Sequence, residues 1–181
     1  MALQRITGAI IQDSTITAAD LAAGATVISR DTSKASTSGV AVQFTGIPSW
    51  ARRITVAFNG VSSNGVNNLL VQLGTGGAPT TSGYTGHSVF SWASGVVHVS
   101  STAGIPIFNN AASYIHYGHL VLTNISGNTW LASGEFVTAG TQGSTIAGGV
   151  VTLSGALDYL RVVAANGTDA FDAGAINLFF E

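Results

Sequence analysis

Apolar and polar residues alternate with a period of two along much of the chain. Ile54, Val56 and Phe58 interleave with Thr55, Ala57 and Asn59, the pattern of a strand with one buried face. Leu69 to Leu73 predicts a second strand, and Val96 to Val99 and Ile105 to Phe108 predict shorter ones. Pro106 has no amide proton, so the last of these belongs at a sheet edge. Ile115 to Thr123 alternates for longer. Ile115, Tyr117, His119 and Val121 fall on one face, and His116, Leu120 and Leu122 on the other. Val40–Thr45, Trp130–Ala132, Glu135–Thr138, Val150–Leu153, Leu157–Val163 and Ile176–Phe180 bring the set to about ten strands.

The connections agree with this reading. Asn59-Gly60, Asn64-Gly65, Ser126-Gly127-Asn128 and Asn166-Gly167 mark turns, because Asn and Gly reach positive φ at low cost. No helix of about ten or more residues is expected after residue 30. Many strands with Gly-rich connections predict an all-β fold, an antiparallel jelly-roll-like sandwich.

The first thirty residues have a different texture. Ile6, Ile10, Ile11, Ile16 and Leu21 punctuate small polar residues. Thr17 and Asp20 form a capping box that opens a small helical turn, closed by Gly24. So short a helix is not stable alone in water and needs a surface to pack on. Arg30, Asp31 and Lys34 mark a solvated linker. The expected organisation is an anchoring arm and linker over 1–30 and a β-sandwich knob over 31–181. The five arm residues are the candidate contacts to a neighbouring subunit or a larger partner.

Composition narrows the function. Charged residues make up 8% of the chain, against about 25% in ordinary soluble domains. Hydrophobic residues make up 46% and the formal charge is −2, which excludes a disordered chain. Six Lys and Arg, with Arg52-Arg53 the one adjacent pair, do not make a phosphate-binding surface, so no nucleic-acid partner is expected. The uncharged stretch Ile54–Gly134 is studded with Ser, Thr, Asn and Gly. Its apolar runs fall far short of the roughly 20 residues of a membrane helix, and no secretory leader is expected at the start. Leu157, Tyr159 and Val163 on one face, with Leu160 and Val162 on the other, make that strand apolar on both sides. A lone sandwich would alternate more cleanly. Association with other copies is the simplest destination for the excess apolar surface.

Catalytic and metal chemistry finds little purchase. His116 and His119 lie three apart on a strand and face opposite ways, and neither Cys nor Glu neighbours them in sequence. Asp169 and Asp172 beside Gly174 are too few for a calcium cage. No two of the eight acids have a spacing that suggests a glycosidase pair. No Ser sits in a Gly-x-Ser-x-Gly elbow, and Gly74–Pro79 lacks the Lys of a phosphate loop. No catalytic, cofactor or metal residue is assigned, and the chain is not expected to be an enzyme. Tyr84, Trp92 and Tyr117 are the candidate contacts for a glycan, since sugars present apolar faces to aromatic rings.

Three segments carry a resemblance. Ile6-Thr7-Gly8-Ala9-Ile10-Ile11-Gln12-Asp13-Ser14-Thr15-Ile16-Thr17-Ala18-Ala19-Asp20-Leu21 resembles the Ile-rich segment near the N-termini of phage fibre-like proteins, with Ser14 where Gly is usual. Leu153–Val162 and Asn166–Asn177 resemble the closing strands of a phage domain found in tail-fibre tips and virion surface proteins, and Ile54–Ser62 with Leu69–Gly74 is similar to the middle of that domain. The resemblance implies a β-sandwich, usually trimeric, on the outside of a phage particle. A short arm with one knob resembles a capsid-decorating protein or short head fibre. Its arm would grip the major capsid protein or another virion protein, and its place would be the virion surface after synthesis in the host cytoplasm. The alternative it implies is a tail-fibre tip that recognises a host glycan.

Overall fold

The computed structural model describes residues 28–181. The arm positions Ile6, Ile10, Ile11, Ile16 and Leu21, and the helical turn after Thr17, lie outside the described residues. Every regular element within them is a strand. In chain order these are β1 (Ser29–Arg30), β2 (Lys34–Ala35), β3 (Ala41–Thr45), β4 (Arg53–Ser63), β5 (Leu69–Thr75), β6 (Ala78–Pro79) and β7 (Thr85–Trp92). They continue with β8 (Gly95–Ser101), β9 (Ile105–Ile107), β10 (Ile115–Ser126), β11 (Thr129–Ala139), β12 (Gly143–Thr152), β13 (Tyr159–Ala164) and β14 (Phe171–Phe180).

Two antiparallel sheets form an unequal sandwich. The large one runs β1-β14-β4-β10-β11-β12-β7-β8, with β2 also paired to β14. The small one runs β3-β13-β5, with β6 and β9 both along β5. The closing strands return to the opening ones: β13 lies between β3 and β5, and β14 lies against β4. The linker residues Arg30 and Lys34 are part of this arrangement, since β1 and β2 edge the large sheet.

The core lies where the two inner faces meet. β4 sends in Ile54, Val56, Phe58 and Val61; β10 sends in Leu120 and Leu122; β14 sends in Ile176, Leu178 and Phe180; all are buried. Phe44, Val71, Leu73, Leu160 and Val162 answer from the small sheet. Alternation in the sequence therefore places the core as expected on these strands.

Three expectations change. Asn59-Gly60 is not a turn but a bulge inside β4, where the register slips against both β10 and β14. Gly60 has φ of 68°, so the bulge uses the same left-handed freedom that marked it as a turn. Trp130–Ala132 and Glu135–Thr138 form one strand, β11, because Ser133 and Gly134 continue the ladder. β7 and the first half of β12 were not legible as strands. Of their inward positions only Phe90 is large; Gly86, Ser88, Thr145 and Ala147 are small and leave no clear apolar period.

One glycine fixes how the large sheet packs. Gly118 pairs with Phe58 of β4 and with Phe136 of β11. Paired residues share a face, so the missing side chain leaves room for the two rings. They meet edge-on, centroids 5.1 Å apart at 83°. Gly118 has φ of 151°, and a Cβ there would sit 2.2 Å from the Glu135 oxygen. Neither backbone atom can yield without parting β10 from β11. Gly118→Ala should therefore lower the unfolding free energy by about 3 kcal/mol, measured by urea denaturation. A loss below about 1 kcal/mol would contradict this packing account.

Candidate functional site

The two sheets treat their outer faces differently. On the small sheet, Arg161 Nε donates to Gln72 Oε1 at 2.7 Å, and Gln72 Nε2 donates to the Ala103 oxygen at 2.7 Å. This clamp holds the β8–β9 loop against the sheet, with Gly104 pressed on Leu70 and Gln72. Tyr159 and Val163, the residues that made β13 apolar on both sides, are already buried within the chain. The expectation that they need a sister copy is corrected: the uncovered apolar surface belongs to the other sheet.

The outer face of the large sheet is laid out by its register. One row reads His119, Glu135, Ile146, Val89 and His98 across β10, β11, β12, β7 and β8. The next reads Tyr117, Val137, Ser144, Ser91 and Val96. A third places Leu131 beside Val150 and Thr85. Val137 is 60% exposed, Ile146 63%, Val96 54% and Leu131 46%. Between Arg53 and Asp158 the sequence contains one Asp, Glu, Lys or Arg, which is Glu135. The face thus sets exposed Val137, Ile146, Val96 and Leu131 among Ser, Thr and His, with one acid, Glu135. Gly148 lies in its middle between Ser133 and His87. These small residues leave a hollow of about 570 Å³ walled by Leu131, Ile146, Val89 and Val150.

A second concavity lies at one end of the sandwich, with a volume of about 340 Å³. The β3–β4 loop supplies Ile47, Ser49, Ala51 and Arg52, the β10–β11 hairpin supplies Asn124 and Asn128, β11 supplies Trp130, and the β12–β13 loop supplies Leu157. Backbone bonds tie these walls together. The Asn124 amide donates to the Arg52 oxygen at 2.8 Å, Arg52 N–H donates to the Glu181 oxygen at 2.7 Å, and Leu153 N–H donates to the Asn128 oxygen at 3.0 Å.

The three aromatic residues expected on a glycan surface do not come together. Tyr84 is in the core at 2% exposure. Its hydroxyl accepts from Leu73 N–H at 2.7 Å and donates to the Leu73 oxygen at 3.2 Å, and burial pushes its pKa up to about 12. It is corrected to a structural residue. Trp92 is half-buried and stacks on Phe90 at 5.3 Å. Tyr117 is exposed, with its ring over Gly60.

No family model, curated protein or solved structure matches this chain.

The polar candidates resolve into structural roles. Asp169 accepts from the Asn67 amide at 3.2 Å, Asn67 Nδ2 at 3.0 Å and Asn166 Nδ2 at 2.6 Å, and these bonds hold its carboxyl below the usual range. Gly65 lacks a side chain that would strike that carboxylate. Asp172 binds the Ser62 hydroxyl. Asp169 thus pins the β4–β5 and β13–β14 connections to each other, and Asp172 ties β14 to β4. No three His, Asp or Glu gather as a metal site among the described residues. His119 faces out and His116 faces in, as the alternation predicts.

His116 is fully buried. Its Nε2 lies 3.1 Å from Asn109 Oδ1 and its Nδ1 3.3 Å from Thr138 Oγ1. Asn109 passes the chain on to the Gly65 and Asn67 oxygens, each at 3.2 Å. Burial lowers the His116 pKa to about 4. The unfolded chain therefore binds the proton first, from about pH 6.5 downward, and stability falls until the native ring also titrates. This costs about 3 kcal/mol between pH 7 and pH 4. His116→Gln should remove that share, so the urea-derived difference between wild type and variant should shrink from pH 7 to pH 4. A constant difference would contradict a buried neutral imidazole.

Proposed function

We propose that this protein is a non-enzymatic structural component of a phage particle's outer surface, a capsid-decorating protein or short head fibre. It assembles as a trimer and is anchored by its N-terminal arm. The observation that carries the reading is the outer face of the large sheet, which exposes four large apolar side chains and has one acid, Glu135. A face with Val137, Ile146, Val96 and Leu131 exposed together is unusual for a lone soluble domain. Covering it gains about 2.5 kcal/mol per 100 Å² of apolar area. The resemblance of the Ile-rich start and the closing strands to phage surface proteins supplies the particle, and the apolar punctuation of the arm supplies the anchor. A tail-fibre tip gripping a glycan through Tyr84, Trp92 and Tyr117 is the weaker reading, because Tyr84 is sealed in the core.

An assembly of this kind rests on desolvation rather than on ion pairs. Among the described residues there is one salt bridge, Arg53 to Glu181 at 3.5 Å, and Arg53 lies two strands from Leu131, at the β4 end of its row. The oligomer should therefore keep its mass in 1 M NaCl, a concentration at which surface charges are screened beyond about 3 Å. Ile146→Glu with Val137→Glu should reduce it to single subunits that retain their β-type circular dichroism. Persistence of the oligomer in the double variant would place the interface elsewhere.

The particle role has its own test. Deleting residues 2–28 should abolish binding to phage particles that lack the protein, as measured by co-sedimentation. Undiminished binding of the truncated protein would overturn the anchoring role.

A further inference from the structure

The cleft at the end of the sandwich is rich in hydrogen-bond donors and has no free acid. Arg52 is held at its rim by one guanidinium nitrogen, which donates to the Ser49 oxygen at 3.1 Å and the Ala51 oxygen at 3.4 Å. Its other N–H groups meet no acceptor among the described residues. The carboxylates nearest in sequence and pairing are engaged elsewhere. Glu181 pairs with Arg53, and Asp158 accepts from the Gly76 and Gly77 amides at 2.9 and 3.1 Å.

Trp130 lines the cleft. Its indole N–H has no acceptor among the described residues, yet it is not sealed in the core as the Thr145 hydroxyl is; the cleft is its outlet. Asn124 spends Nδ2 on the Gly127 oxygen at 2.8 Å and the Thr129 oxygen at 3.2 Å, which leaves Oδ1 as an acceptor. Ile47 and Leu157 give the cleft an apolar wall.

We propose that this cleft binds a carboxylate-bearing sugar of single-ring size. The planar fork of Arg52 suits a carboxylate. The apolar wall suits the C–H face of a pyranose. Trp130 N–H and Asn124 Oδ1 supply a donor and an acceptor for ring oxygens and hydroxyls. The volume of about 340 Å³ falls at the small end of ligand pockets. The site lies at the strand ends, away from the apolar sheet face, and does not depend on the assembly reading.

The test titrates D-glucuronate into the full-length protein and follows the indole N–H signals of its three Trp residues by ¹H–¹⁵N NMR. Trp50→Phe and Trp92→Phe assign the Trp130 signal by elimination. D-glucose controls for the charge, and acetyl-alanyl-alanine controls for a carboxylate without a ring. The expected result is a saturable shift of the Trp130 signal with a Kd of about 1 mM. Glucose should bind at least about tenfold more weakly, and Arg52→Gln should erase that difference. Arg52 is exposed, so its replacement does not threaten the fold. Absence of a saturable shift up to about 50 mM glucuronate would overturn the proposal. So would equal or tighter binding of the peptide carboxylate, or an Arg52→Gln variant that still prefers glucuronate.

Discussion

The dominant constraint is desolvation of a sheet that has almost no charge with which to hold water. Between Arg53 and Asp158 the chain carries a single acid, Glu135, and no Lys or Arg. The strands of that region are amphipathic only in the sense that one face is deeply buried and the other less so. On β11 the inner face has Trp130, Ala132, Phe136 and Thr138, while the outer has Leu131, Ser133, Glu135 and Val137. Folding the monomer satisfies the first set and leaves the second in water.

The contrast between the two sheets makes the point local. The small sheet solves the problem within one chain. Gln72 and Arg161 turn their polar ends into a clamp for the β8–β9 loop, and Leu70, Tyr159 and Val163 disappear beneath the chain's own cover. The large sheet has no comparable loop over β11, β12 and β7 among the described residues. Its centre is instead a hollow over Gly148, edged by Ile146 and Leu131. A second copy of the same chain is the cover we propose for it.

The fold class was legible because period-two alternation of large apolar residues survives on β4, β10, β13 and β14, where Ile54, Leu120, Leu160 and Ile176 anchor the core. It was illegible on β7 and early β12, where Gly86, Ser88 and Ala147 face inward and closeness rather than bulk fills the space. Asn59-Gly60 misled because positive φ serves a bulge as well as a turn. Site legibility was poorer for a topological reason. The end cleft draws Arg52, the Asn124 and Trp130 hairpin pair, and Leu157 from three places far apart in sequence, and no local spacing links the three. Tyr84 looked like a surface aromatic because it follows a Gly-Ser-Thr-rich loop, and only the packing shows its hydroxyl bridging Leu73. The apolar face could have been seen by comparing both faces of β11, where Leu131 and Val137 break the polar side of the alternation.

The account stands on the claim that the outer face of the large sheet is covered in the assembled protein. Sedimentation velocity of the full-length protein across a hundredfold range of concentration measures this most directly. The account predicts a single species larger than one subunit, stable on dilution. A sedimentation coefficient that matches one subunit at every concentration would contradict it.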